Sequence, residues 1–176
     1  MMSLTVVFYM YVILFGIIGG MRGWAKEILV SFSIVLALAF ISLIEHYVPF
    51  IRDVLPHQSP TLFWLRTVII ILLVVFGYQS PNLSRIAPKM TREKLEHVLL
   101  GILFGAINGY LVVGSIWLYM HEANYPFSII TAPDGKTDIG KMALAMLQYM
   151  PPQLLGIPAI YFAVVLAFIF VIVVFV

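Results

Sequence analysis

The chain has 176 residues, of which 62% are hydrophobic and only 10% are charged. Soluble domains are about half apolar and about a quarter charged, so this composition, with a mean hydropathy of +1.06, excludes a soluble globular domain and predicts an integral membrane protein. A net charge of +2, held in short loops, excludes nucleic acid as a partner, and the absence of cysteine excludes thiol chemistry and cysteine metal sites.

Five apolar runs follow one another along the chain, each close to the roughly 20 residues that cross a bilayer as a helix. They cover residues 4–21, 28–44, 61–78, 98–120 and 159–176. The first run meets basic residues, Arg22 and Lys26, only after its end, which is the reverse of a signal peptide, so we expect it to be a retained span. The sequence therefore predicts an all-α polytopic membrane bundle of about five transmembrane helices with short interfacial helices.

The predicted bundle divides into three parts. Residues 1–122 are expected to form a four-helix membrane bundle, 123–158 a loop with a surface helix, and 159–176 a C-terminal transmembrane helix. Asp138 is expected to cap the surface helix, which ends before Pro151. Its apolar stripe comprises Ile139, Met142, Ala143, Met146 and Met150. A short amphipathic helix of this kind is expected to lie on the membrane surface.

The turn between the first two runs contains Gly23, with Arg22 on one side and Glu27 on the other. A basic residue at a helix C-terminus and an acidic one at the next N-terminus have the signs that the helix macrodipole favours. Glycine can adopt the left-handed conformation that ends a helix. These residues predict a tight helical hairpin, and the alternative is a basic contact site for a lipid head group or a partner's loop.

Arg66 lies five residues after Thr61, where the third run begins, or about 7.5 Å along a helix. An arginine inside a membrane span is a functional hypothesis by default. The interpretation that we favour is a side chain that snorkels to the interface. The alternative is an ion pair inside the bundle, with Glu45, Glu122 and His121 as candidate partners. Since no other ionisable residue is expected within the spans, transport by titrating side chains is disfavoured.

The fourth run carries a glycine ladder, with glycine at every fourth position from Gly101 through Gly105 to Gly109. Small residues at this spacing let two helix backbones approach closely, which is how helices associate in hydrocarbon. The ladder therefore predicts a helix contact. It is made either with a partner subunit or within this chain, with the first run and its Gly16 and Gly20.

Asn108 lies beside the glycine ladder, where its amide must find a hydrogen-bond partner. Such interhelical bonds are worth about 0.6 kcal/mol on average, which predicts a role in fixing helix register. Ser31 in the second run is expected to bond only to its own helix. The helix that contains Asn108 is expected to begin at Arg92, capped by Thr91, and to extend about 43 Å to Met120, so that its first turns lie in the interface.

Basic residues predict the orientation of the bundle, because short cytoplasmic loops collect Lys and Arg. One side of the membrane receives Arg22, Lys26, Arg85, Lys89, Arg92 and Lys94, and the other receives Arg52, Lys136 and Lys141. This imbalance predicts that the N-terminus lies outside and the C-terminus inside.

The first turn and the glycine ladder together resemble the colicin V production family of bacterial inner-membrane proteins. Arg22, Gly23 and Glu27 match the family's Arg-Gly followed by a Glu four residues after the glycine. Leu100, Gly101, Gly105, Ala106 and Gly109 match its Leu-Gly-x-x-x-Gly-Ala-x-x-Gly. The resemblance covers about residues 4–120 and implies a four-span inner-membrane protein linked to toxin production or export, with no assigned catalytic chemistry. Beyond Met120 the chain departs from the family, whose members end in a polar or amphipathic tail.

The histidines do not predict a metal site, because none of them forms a pair at metal-ligand spacing. They are His46, His57, His97 and His121, and all lie in loops or at the ends of apolar runs. No cofactor is predicted, although a bound lipid or pigment stays open. Nothing in the sequence argues for an enzyme.

The leading functional hypothesis is a non-catalytic accessory or scaffold subunit of a larger bacterial membrane complex, such as a photosynthetic or respiratory one. Its partners would be membrane lipids and other membrane-protein subunits, because the glycine ladder and the charge-free last run are both suited to helix contacts. One alternative is a free-standing protein of the colicin V production type that acts in toxin export or envelope homeostasis. A second alternative is a small-solute transporter.

Overall fold

A computed structural model of the chain describes residues 3–49, 51, 55–56, 58–79 and 94–175. Within those ranges the secondary structure is helical, and no strand occurs. The helices are α1 (Leu4–Arg22), α2 (Trp24–Tyr47), α3 (Pro60–Tyr78), α4 (Lys94–Glu122), α5 (Asp138–Leu147), α6 (Pro151–Leu154) and α7 (Ala159–Phe175). Four of them, α1 to α4, are long and apolar enough to cross a membrane, and α7 is a shorter apolar helix. The predicted all-α polytopic bundle is therefore confirmed.

The helix boundaries follow local sequence signals. Gly23 alone separates α1 from α2, with φ +88° and ψ 153°, so it takes the positive φ that the turn requires but an extended ψ instead of the left-handed helical one. The hydroxyl of Ser59 caps α3 by accepting a hydrogen bond from the Leu62 amide at 3.0 Å. The predicted Thr91 cap of α4 lies outside the described residues. The same holds for Arg52, His57, Arg85, Lys89 and Arg92.

The bundle is organised around α2, which contacts α1, α3, α4 and α7. Its inward face is completely buried at Val30, Ile34 and Ala37, and Ile70 of α3 packs into the same core. The most extensive contact in the bundle is between α1 and α4. Apolar packing therefore places α2 at the centre and leaves the outer faces of α1, α3 and α7 free for lipid or partners.

The short helix α5 is present where the sequence predicts it, but its N-terminal cap is Thr137 and not Asp138. The Thr137 hydroxyl accepts a hydrogen bond from the Gly140 amide at 3.1 Å. Asp134 in turn accepts from the Thr137 hydroxyl and amide, and these bonds hold the pKa of the Asp134 carboxyl below its usual value. Only part of the predicted stripe is buried: Ala143 and Met150 face the core, whereas Ile139 and Met142 are exposed.

The chain from 138 to 156 forms a re-entrant segment that runs along α4 and returns. At its tip, the Tyr110 hydroxyl donates a hydrogen bond to the backbone carbonyl of Tyr149. A Cβ added at Gly114 would lie 2.9 Å from atoms of both Met150 and Pro151. Gly114 is eight residues before Glu122, the end of α4, which corresponds to about 12 Å along the helix axis. The tip therefore packs against α4 about 12 Å from the end of that helix, with Met150 buried and Tyr149 exposed.

Candidate functional site

The glycine ladder is used inside this chain, in a seam between α1 and α4. A Cβ added at Gly105 would lie 2.9 Å from the Gly19 Cα, and one at Gly109 would lie 3.0 Å from the Val12 Cα. Gly101 likewise faces the backbone of Gly19. Because real Cβ atoms do not approach backbone atoms this closely, only glycine permits the observed helix spacing. The ladder is therefore not available to a partner subunit.

The partner glycine that matters most in the seam is Gly19, which the four-residue spacing did not single out. It fits between Gly101 and Gly105. Gly16 is in ordinary contact, since a Cβ there would lie 3.5 Å from the Ile102 carbonyl oxygen. A Cβ at Gly20 would meet the side chains of Ile102 and Val98 and no backbone atom among its nearest neighbours. The signal that could have found Gly19 is its spacing of three residues from Gly16, which also places two residues on one helix face.

Asn108 anchors a second feature, the Glu27 cluster, which consists of Arg22, Glu27, Ser31, Tyr78 and Asn108. Glu27 is completely buried in the bundle, a burial that its predicted place at the N-terminus of the second helix does not indicate. Its carboxylate accepts a hydrogen bond from Arg22 Nη1 at 2.7 Å and one from Asn108 Nδ2 at 2.8 Å. Asn108 also donates to the Glu27 backbone carbonyl at 3.0 Å. The buried charge is therefore both paired and hydrogen-bonded.

The same cluster joins four helices. The Ser31 hydroxyl of α2 donates to Asn108 Oδ1 of α4 at 2.6 Å, so Ser31 bonds beyond its own helix. Arg22 of α1 donates to the Tyr78 carbonyl of α3 at 3.1 Å, and its guanidinium lies 4.3 Å from the centre of the Tyr78 ring. Register between α1, α2, α3 and α4 is thus fixed at one end of the bundle by charge-assisted hydrogen bonds.

Asn108→Ala is expected to lower the free energy of unfolding by about 2–3 kcal/mol, since it leaves a buried carboxylate without one of its donors. This loss of stability is larger than the average for an interhelical hydrogen bond in a membrane, because the buried Glu27 carboxylate cannot replace the lost donor with a water molecule. The matched control is Ser115→Ala, which removes a buried hydroxyl that bonds to its own helix at Leu111. Denaturant unfolding in detergent micelles measures both, and equal losses for the two variants would contradict the assigned role.

The third feature is the Arg66 cluster at the opposite end of the bundle, formed by Glu45, Arg66, Tyr119 and Glu122. Arg66 does not snorkel: it is 4% exposed. Its Nε and Nη2 donate to the two oxygens of Glu45, the latter at 2.9 Å, and its Nη1 donates to Glu122. The guanidinium also lies 4.5 Å from the centre of the Tyr119 ring. Arg66 therefore forms ion pairs inside the bundle, and the interpretation that its side chain snorkels to the interface is wrong.

A cavity of about 610 Å³ lies beside the Arg66 cluster. One part of its wall is polar and includes Glu45, Glu122, Gln58 and Asn124. Another part is apolar and comes from α2 and α4 and from the return limb of the re-entrant segment, which contributes Leu155. The other polar residues that line the cavity are Ser42, Arg66, His121 and Gln153. The two carboxylates were candidate partners of Arg66 from the sequence. The cavity was not predicted, because its second wall exists only through the fold of the re-entrant segment.

The described residues contain no group of three or more His, Asp or Glu side chains placed to hold a metal ion. Histidine instead serves in packing, as at His121, whose ring lies 5.6 Å from that of Tyr125. Burial raises the pKa of the Tyr125 hydroxyl, which accepts a hydrogen bond from the Trp117 indole at 3.4 Å.

No protein family, curated protein or solved structure matches this chain.

Proposed function

We propose that this chain is a non-catalytic accessory or scaffold subunit of a larger bacterial membrane complex. The observation that carries the proposal is an exposed polar surface beside α4, at a level that a membrane-spanning α4 would place within the bilayer. Gln148 and Tyr149, at the tip of the re-entrant segment, are exposed, although neighbouring Met150 contacts Gly114 about 12 Å below the end of α4. Polar groups facing hydrocarbon are costly, so a helix of a neighbouring subunit is the surface that would satisfy them.

The internal organisation of the bundle supports a structural role. The Glu27 cluster joins the four helices α1, α2, α3 and α4 at one end, and the glycine seam holds α1 against α4 beside it. The Arg66 cluster joins α2, α3 and α4 at the other end. Alternating access requires helices or repeats to move against each other, and these contacts oppose such movement. This favours a scaffold over a small-solute transporter.

Helix α7 supplies a large apolar surface to the proposed complex. It packs on α2, where the rings of Phe32 and Phe168 lie 6.2 Å apart, and buries Ile160. Elsewhere its large side chains are exposed, with Phe162 at 73% and Leu166 at 71%. Unlike the re-entrant tip, α7 has no polar side chain after Tyr161. Its surface can therefore contact lipid tails and a partner helix equally well.

Photo-crosslinking in native membranes tests the proposed function. Benzoylphenylalanine placed at Gln148 is expected to form a discrete adduct with another polypeptide, and the same complex is expected to survive purification in mild detergent. The matched control places the same group at Ile13, a 63% exposed apolar position on α1, where lipid adducts are expected. A Gln148 derivative that forms lipid adducts alone, from a chain that purifies without a companion, would contradict the proposal.

The proposed location is the bacterial cytoplasmic membrane, with the N-terminus outside. Because the chain contains no cysteine, a single introduced cysteine is its sole thiol, and its labelling shows on which side of the membrane that residue lies. Asp138→Cys, at a side chain 98% exposed, is expected to react with a membrane-impermeant maleimide in intact cells. Met21→Cys, at a position 83% exposed near the opposite end of the bundle, is expected to react only after permeabilisation. The inverse labelling pattern would reverse the orientation.

Membership of the colicin V production family stays a prediction. What supports it is that Glu27, from the turn motif, hydrogen-bonds to Asn108, within the glycine ladder. The two parts of the sequence pattern thus meet in one structural unit. A free-standing role in toxin export or envelope homeostasis would follow if deletion altered secretion or permeability and the crosslinking experiment found no partner.

A further inference from the structure

We propose that the cavity beside Arg66 binds a primary ammonium group attached to an apolar chain. This chemistry occurs in the head group of phosphatidylethanolamine and in free alkylamines. The site comprises the carboxylates of Glu45 and Glu122, the amides of Gln58 and Asn124, and an apolar floor that includes Leu38. The proposal is independent of whether the chain is a subunit of a complex.

Three charged side chains line the cavity beside His121, and the two more exposed of them are the carboxylates. The Arg66 side chain is 5% exposed, whereas Glu45 and Glu122 are 21% and 32% exposed. The guanidinium is therefore the least accessible of the three charges, and a molecule in the cavity has more carboxylate surface than guanidinium surface to contact. With both carboxylates ionised, one guanidinium leaves a net charge of −1 in the cluster. This arrangement attracts a cation and repels phosphate or carboxylate ligands.

The hydrogen-bonding capacity of the cluster matches an ammonium group. Arg66 donates to both oxygens of Glu45 and to one oxygen of Glu122. Each carboxylate can accept about four hydrogen bonds, so both Glu45 and Glu122 keep free acceptor positions after their bonds with Arg66. A primary ammonium group has three N–H donors that can occupy these positions. Gln58 and Asn124 line the same cavity, and each side-chain amide has an oxygen that can accept a hydrogen bond. Arg66 acts as a positioning residue, because it holds two like charges side by side.

The shape of the cavity favours an amphiphile over a bare cation. Leu38 is seven residues before Glu45 on α2, about 10 Å further into the bundle. Leu118 is one turn before Glu122 on α4, and Leu155 forms the facing wall. A volume of about 610 Å³ lies within the usual range for small-molecule sites, which are lined by apolar groups with a few placed polar ones. A metal ion would leave this floor empty.

Binding to the purified full-length chain in detergent tests the proposal, with ligand retention measured by native mass spectrometry and thermal unfolding. One pair of ligands is phosphatidylethanolamine and phosphatidylcholine with the same acyl chains. The other is octylamine and octyltrimethylammonium. Within each pair the charge is the same, but the trimethylated member lacks N–H donors. We expect the member with N–H donors to bind at least about tenfold more tightly in at least one pair.

The two pairs also distinguish the sources. Discrimination between the lipids alone assigns a phospholipid site, discrimination between the amines alone assigns a free-amine site, and discrimination in both assigns an amine site that admits the lipid. Equal binding within both pairs would overturn the proposal, as would preference for an anionic amphiphile. This comparison needs only the native sequence.

Variants then locate the binding site. Glu122→Gln removes the carboxylate to which Arg66 donates one hydrogen bond and keeps Glu45, to which it donates two. The affinity for the ammonium ligand is expected to fall about tenfold. Ser42→Phe adds a large ring at a residue that lines the cavity, replaces none of the ion-pair residues, and is expected to abolish binding. Asp138→Asn, whose side chain is 98% exposed and outside the cavity, is the control and should bind normally. Unchanged affinity in both cavity variants would place the ligand elsewhere and overturn the proposal.

Discussion

Gly105→Ala is expected to lower the free energy of unfolding by about 3 kcal/mol, because the added methyl group cannot be accommodated between α1 and α4. The new Cβ would lie 2.9 Å from the Gly19 Cα and would also meet the Phe15 carbonyl. Both neighbours are backbone, so relief requires the helices to separate. That separation would also disturb the Glu27 cluster, since Asn108 lies on the same helix. Denaturant unfolding in detergent micelles measures the loss.

The control for this prediction is Gly16→Ala on the opposite face of the same seam. There the new Cβ would lie 3.5 Å from the Ile102 carbonyl oxygen and 3.7 Å from the Ala106 Cβ, which is ordinary van der Waals contact. Replacing glycine by alanine in a helix is favourable by about 0.5–1 kcal/mol, so this variant is expected to match or exceed the native chain in stability. If the two variants behaved alike, the close approach of α1 and α4 would be refuted.

Arg66→Leu is expected to lower the free energy of unfolding by about 3–5 kcal/mol, the usual cost of removing one partner from a buried ion pair. The loss arises because Glu45 and Glu122 would be left together without their shared cation. The ring of Tyr119 would also lose its contact with the guanidinium. Thermal and denaturant unfolding in micelles should report the same loss.

The companion variant combines Arg66→Leu with Glu45→Gln and Glu122→Gln, so that no unpaired charge remains. Replacing a buried ion pair by neutral groups is often neutral or stabilising, and we expect this triple variant to recover most of the lost stability. A snorkelling arginine would behave differently. In that case Arg66→Leu would be mild and the two glutamine substitutions would rescue nothing.

Local patterns in the sequence predict the helices of the bundle well. Apolar runs of membrane length place α1 to α4 and α7 within a few residues, because each run must bury its backbone hydrogen bonds in a helix wherever it lies. Gly23 is predicted at the turn because it must take a positive φ. These are local requirements, and a local pattern is enough to express them.

The pairing of side chains across the bundle is less predictable. Glu27 belongs by sequence to a tight helical hairpin, and nothing in that pattern indicates its hydrogen bond to Asn108 of α4. The choice between snorkelling and pairing for Arg66 depends on whether two other helices bring Glu45 and Glu122 within reach. The sequence does not give the distance from Arg66 to either carboxylate, because Glu45 and Glu122 are 21 and 56 positions away in the chain and lie on other helices.

The sequence by itself determined that this is an all-helical membrane protein, where its long helices lie to within a few residues, and that α4 carries a face for close packing. Hydrophobicity and backbone geometry act within one helix, so one helix's residues suffice to show them. Only the tertiary structure decided that this face packs on α1 through Gly19, that Arg66 is buried between two carboxylates, and that the re-entrant segment encloses a cavity. Each of these depends on helices distant in sequence meeting at a particular depth and rotation.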